Sequence, residues 1–139
     1  MVEKMILVLL SLVLLTNGTN LFKPDHIFGH LCMKGLGFSI QDVSLTPWPP
    51  SSGDSSELKV SGMFEQDVFV DMSRIGLKHW AESSWLYNYQ FVNTTFTSGQ
   101  IESFSLNIIW PEKKGFHTVN FNLLNDSPIA CWELTFYLA

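Results

Sequence analysis

The sequence predicts an all-β domain, a two-sheet sandwich or a barrel, on three observations. Helical periodicity is almost absent after Cys32. Short segments rich in Val, Ile, Phe, Tyr and Trp recur, with apolar residues alternating at a period of two. Turn residues (Gly, Ser, Asn and Pro) separate these segments at even spacing.

Each strand has its own signature. Phe38 to Leu45 is the first. Pro47-Trp48-Pro49-Pro50-Ser51-Ser52-Gly53 ends it, because its prolines lack the donors a ladder needs. Leu58, Val60 and Phe64 share one face of the second strand, with Gly62 between them. Val68, Val70 and Met72 do the same on the third. Trp85, Tyr87, Tyr89 and Phe91 form an aromatic row on one face of the fourth. Phe104, Leu106 and Ile108 mark the fifth, Val119, Phe121 and Leu123 the sixth, and Trp132, Leu134, Phe136 and Leu138 the last. That makes about seven strands. Alternation turns several aromatic rings inward, where they either fill the centre or flank a gap between the sheets.

Ahead of these strands stands a different kind of segment. Met1-Val2-Glu3-Lys4 is polar, and Met5 to Leu15 is apolar apart from Ser11. Thr16 and Gly18 place small residues before a cut after Gly18. The layout is that of a secretory signal peptide over residues 1–18, and the run is too short for the roughly 20 residues of a membrane span. Residues 19–139 then form one domain, beginning with an irregular entry from Thr19 to Cys32 that contains Pro24 and Gly29.

Cys32 and Cys131 are the only cysteines. In a secreted chain an even count predicts a disulfide, here tying the start of the domain to its last strand; two buried free thiols are the alternative. Asn93-Thr94-Thr95 fits the glycosylation pattern in a polar gap between two predicted strands. Asn125-Asp126-Ser127 fits it too, but Pro128 follows.

Composition argues against several functions. The net charge is −5 and Lys113-Lys114 is the only basic pair, which argues against nucleic acid and against strong attraction to anionic membranes. The sequence has no Gly-rich phosphate loop and no Gly-x-Ser-x-Gly elbow. The histidines are His26, His30, His79 and His117. His26 and His30 have ligand spacing for a helix, but Gly29 breaks that argument, so no metal or cofactor is expected. Asp67 and Asp71 flank an apolar strand and face solvent rather than forming an acid–base pair. The expectation is a protein that is not an enzyme.

The order of several segments resembles the ML family, the lipid-recognition domains related to myeloid differentiation proteins. Cys32, a strand and Val43-Ser44-Leu45-Thr46-Pro47-Trp48-Pro49-Pro50 look like the family's cysteine, strand and Pro-x-Pro-Pro turn. Gly53 with Leu58-Lys59-Val60-Ser61-Gly62 is similar to the strand that follows. Ile129-Ala130-Cys131-Trp132-Glu133-Leu134 looks like the closing strand of the secreted Niemann–Pick sterol carriers, the branch it resembles most. The segment from Leu106 to Leu124, with Val119-Asn120-Phe121-Asn122-Leu123, resembles the penultimate hairpin. The family's internal disulfides have no counterpart here, and the stretch from Arg74 to Ser103 matches poorly.

The resemblance implies an immunoglobulin-like sandwich with an apolar cleft between its sheets, closing cysteine to cysteine. It implies a sterol, phospholipid or glycolipid as ligand, with a membrane or receptor partner for hand-off in an extracellular or endolysosomal setting. By position the lining would come from Val60, Phe64, Val70, Phe104, Leu106, Ile108, Val119, Phe121 and Trp132, with Trp110 and Pro111 in a loop near the mouth. Plain core packing is the competing role for each residue. The competing role for the whole protein is a secreted interaction module or a lipid-presenting co-receptor.

Overall fold

The computed structural model describes residues 29–34 and 36–139. The expected signal peptide, Pro24 and His26 lie outside the described residues. Every regular element described is a strand: β1 (His30–Leu31), β2 (Phe38–Thr46), β3 (Ser55–Phe64), β4 (Val68–His79), β5 (Leu86–Phe96), β6 (Ile101–Ile109), β7 (Gly115–Leu124) and β8 (Pro128–Leu138). They form a five-stranded sheet in the order β1-β8-β7-β4-β5 and a three-stranded sheet in the order β2-β3-β6. All pairings are antiparallel. The all-β sandwich expected from the alternation is therefore present. It has eight strands among the described residues, because His30 and Leu31 in the entry segment pair with Glu133 and Trp132.

Cys32 and Cys131 are bonded, with Cα atoms 5.2 Å apart. The bond fastens the short β1 edge to β8 and closes a loop spanning 99 positions. Asn120 lies against both sulfurs from the neighbouring strand β7.

Aromatic rings fill the two ends of the space between the sheets. At one end Phe64 stacks on Phe96 at 4.4 Å between centroids, Phe104 packs edge-on to both, and Phe38 lies tilted against Phe64. At the other end Trp110 and Trp48 both pack against Phe136. Burying an indole leaves an N–H to satisfy. The Trp110 Nε1 donates to Ser56 Oγ at 2.8 Å, and Ser56 in turn donates to the Pro47 carbonyl at 2.9 Å. Thr46–Pro47 and Trp48–Pro49 are both cis.

Simple alternation fails at two points. The first lies in β4, where a bulge falls between Val70 and Met72. Val68 and Val70 point inward as expected, but Met72 does not continue the row. Ser73, Ile75, Leu77 and His79 do, and Ser73 is fully buried. The second corrects the placement of Asn93. It does not lie in a gap between strands but inside β5, where it adopts φ 46° at the same bulge and is exposed. Asparagine is among the few residues that tolerate this left-handed conformation, which is how a polar stretch stays within one strand.

Candidate functional site

The two sheets do not close along the side where β5, an edge of the larger sheet, faces β6, an edge of the smaller. The Phe96–Phe64–Phe104 cluster shuts one end of this seam. In its middle Asn88 Nδ2 donates to the Asn107 carbonyl at 3.3 Å. On one side of that strap lies a cleft of about 410 Å³ lined by Ile75, Gly76, Leu77, Leu86, Tyr87, Asn88, Asn107, Ile108, Ile109 and Val119. On the other lies a cleft of about 360 Å³ lined by Ser73, Gln90, Phe91, Val92, Ser103, Phe104 and Ser105. The first is apolar with two asparagines at its rim; the second is largely polar.

Alternation explains the difference. The inward positions of β5 read Leu86, Asn88 and Gln90, pairing with Leu77, Ile75 and Ser73 on β4. Apolar character therefore fades along the seam from Leu86 to Gln90. Ile75, Leu77 and Val119 form the floor of the apolar cleft, while Leu86 and Ile109 stand exposed at its mouth. Such a surface would lose free energy by staying wet, and a cleft of this size falls in the range of small-ligand sites.

Beyond the apolar cleft the same strands continue into a recess of about 110 Å³, walled by Leu77, His79, Glu82, Leu86, Pro111, Lys113 and His117. Leu77 and Leu86 belong to both. Here His79 Nδ1 accepts the Ala81 N–H at 3.1 Å, so its Nε2 donates to the Lys114 carbonyl at 3.0 Å. His117 Nδ1 donates to the Gly115 carbonyl at 3.0 Å. Burial pushes the His117 imidazole below its ordinary pKa; the Gly115 carbonyl offsets part of this, and the neighbouring His79 lowers it further. The two rings meet edge-on at 4.8 Å. Glu82 and Lys113 pair with each other at 3.2 Å on the recess wall.

Of the residues expected to line a ligand, Ile108 and Val119 lie in the apolar cleft, Phe104 in the polar one and Pro111 in the recess. Val60, Phe64, Val70, Leu106, Phe121 and Trp132 pack in the core. Trp110 does so too, 1% exposed, rather than standing at a mouth. Among the other residues of the apolar cleft, Ile75, Leu77, Leu86, Asn88, Asn107 and Ile109 were not singled out in the sequence. The Ile75–Leu77–His79 alternation was the available signal, and it sits in the stretch that matched the family pattern least.

The aromatic row is real, but its face is the outer one. Tyr87, Tyr89 and Phe91 pair across β4 from Gly76, Arg74 and Met72 and stand exposed. Trp85 stacks on Tyr87, Arg74 lies 4.5 Å over the Tyr87 ring, and Lys78 lies 5.8 Å over Trp85. Gly76 makes room for this layer, since a Cβ there would sit 2.9 Å from both rings. His30, the described member of the proposed histidine pair, lies 4.0 Å from Glu133 on the outer face. Asp67 is exposed and accepts the Ser98 N–H at 2.8 Å.

No family model matches the sequence, and neither does any curated protein. Solved structures do match. A Niemann-Pick type C2 protein from the Japanese carpenter ant superposes with a TM-score of 0.60 at 8% identity, over 81% of this chain and 100% of that one. The C-terminal domain of wzt superposes at 0.58 and 15% identity, over 84% of this chain and 82% of that one. Chicken MD-1 complexed with lipid IVa is a looser likeness, at 0.47 and 13% identity over 78% and 95%. Two differently named proteins thus share this sandwich almost equally well, and a fold alone does not specify a function. The chain has the two-sheet β-sandwich fold of the ant Niemann-Pick type C2 protein, the architecture expected of an ML domain.

Proposed function

We propose that this protein binds a lipid in the cleft between β5 and β6 and carries or presents it. The observation that carries the reading is the apolar cleft of about 410 Å³, floored by Ile75, Leu77 and Val119 and open past Leu86 and Ile109. A ligand that buried about 200 Å² of apolar surface there would gain roughly 5 kcal/mol before its binding costs. The sequence resemblance to the ML family supports the same reading and favours a sterol over a phospholipid or glycolipid. The Cys32–Cys131 bond suits an oxidising, secreted or lumenal setting, in keeping with a signal peptide over residues 1–18.

Organic extraction of the purified protein, followed by mass spectrometry, tests the reading. Co-purifying lipid at near-stoichiometric amount is the expected result. The reading fails if none is found and neither a fluorescent sterol nor a fluorescent phospholipid binds at micromolar concentration.

A second reading is a secreted interaction module. It is favoured by the exposed row Tyr87, Tyr89 and Phe91, because aromatic side chains dominate binding hot spots. Substituting the row would then abolish partner capture and leave lipid uptake intact.

A further inference from the structure

We infer that the recess at the end of the apolar cleft is a hydroxyl-binding subsite, in which His117 Nε2 accepts the O–H of a neutral lipid head group. This inference rests on the lipid-binding reading and specifies the chemistry of its ligand.

Three observations carry it. The recess and the cleft share the walls Leu77 and Leu86, so a tail in the cleft can place a small head in the recess. Their strands are the same as well: β4 runs from Leu77 to His79, and β7 from Val119 back to His117. The second observation is His117 itself. Its Nδ1 is committed to the Gly115 carbonyl, which leaves Nε2 as a bare lone pair in the neutral ring. That Nε2 is buried and has no hydrogen-bond partner, and the residue is only 1% exposed. A buried acceptor of this kind costs free energy unless a donor reaches it.

The third observation concerns charge. His79 cannot supply the donor, because its own N–H is directed at the Lys114 carbonyl. Lys113 is engaged with Glu82, so the wall offers no free charge to an anion. Burial also disfavours a protonated His117 that could greet a carboxylate or phosphate. The match is a small, uncharged donor: the hydroxyl of a sterol, a long-chain alcohol or a comparable single-hydroxyl lipid.

The test uses cholestanol and cholestanone, which share one skeleton and differ in a hydroxyl against a ketone that cannot donate. Each would compete with a fluorescent sterol on the full protein. The wild type should prefer the alcohol about tenfold, the factor that corresponds to roughly 1.4 kcal/mol, within the range of one hydrogen bond. In His117→Leu the preference should fall below about twofold while ketone affinity is kept. In the wild type the ¹⁵N resonance of Nε2 should move with the alcohol and not with the ketone, a readout that stands even if the variant does not fold. Equal affinities in the wild type, an unmoved resonance, or a preference that survives in His117→Leu overturns the subsite while leaving lipid binding intact. If the wild type binds no sterol at all, the subsite is overturned as well, and the lipid reading fails with it only if extraction finds no lipid and the phospholipid does not bind either.

Discussion

Asn88 and Asn107 meet across the open side of the sandwich, where the Asn88 amide donates to the Asn107 carbonyl at 3.3 Å. This strap separates an apolar cleft from a polar one and is exposed to solvent. An exposed hydrogen bond contributes little to stability, within about 1.5 kcal/mol. Asn88→Ala should therefore leave the melting temperature nearly unchanged while lipid leaves several times faster. Stopped-flow transfer of a fluorescent lipid to acceptor vesicles measures this, and an unchanged rate would show that the strap does not gate the cleft.

Leu86 stands at the mouth of the cleft, 66% exposed. Leu86→Glu places a charge on that apolar rim without disturbing the core. Stability should change by less than about 0.5 kcal/mol, as for most surface substitutions. Lipid affinity should fall at least tenfold in a fluorescence titration.

The Cys32–Cys131 bond closes a loop of 99 positions. Removing it with Cys131→Ser should cost about 2–5 kcal/mol and lower the secreted yield. Chemical denaturation of wild type and variant gives the difference. An intact mass two hydrogens below the reduced value confirms the bond in the wild type.

The two sequons are not equivalent. Asn93 is exposed on a bulge, whereas Asn125 is half-buried in the β7–β8 turn. The Asn125 Nδ2 donates to the Phe69 carbonyl at 3.2 Å, and its Oδ1 accepts the Ser127 N–H at 3.1 Å. A glycan on Asn125 would break that turn. Expression in a eukaryotic secretory host should glycosylate Asn93 alone, so Asn93→Gln removes the glycosidase-sensitive mass shift and Asn125→Gln keeps it.

His117 sets a pH dependence. Its folded pKa lies below the ordinary 6.5, so on acidification the unfolded chain takes up the proton first. Stability present above about pH 6.5 should be lost progressively as pH falls from there towards the folded pKa. Urea midpoints between pH 7.5 and 5.5 should show the decline. His117→Phe should flatten it.

The alternation of Leu58, Val60 and Phe64 or of Val119, Phe121 and Leu123 was enough to place β3 and β7, because both strands are covered on the core face. The cleft was harder to read. Its floor depends on the bulge between Val70 and Met72, which moves the inward row from Met72 to Ser73, Ile75 and Leu77. A change of phase leaves no mark in composition. The row of Trp85, Tyr87, Tyr89 and Phe91 was legible as a row, but the direction it faces was not. Period two puts residues on a common face but does not say which face is covered, and on this edge strand the aromatic face is the exposed one. Leu86, Asn88 and Gln90 hold the inward positions instead, as a mixed run that no hydrophobic pattern selects.

Both sheets carry a bulge involving an edge strand: at Ile40/Asp42 in β2, and opposite Val70/Met72 in β5. Each interrupts the regular row of N–H and C=O groups that a strand from another molecule would need for continuous pairing. A chain with Tyr89, Phe91 and Ile101 exposed is a candidate for end-to-end polymerisation at its sheet edges. The irregularity beside the cleft and its counterpart in β2 thus deny a growing fibril two of the four edge templates among the described residues.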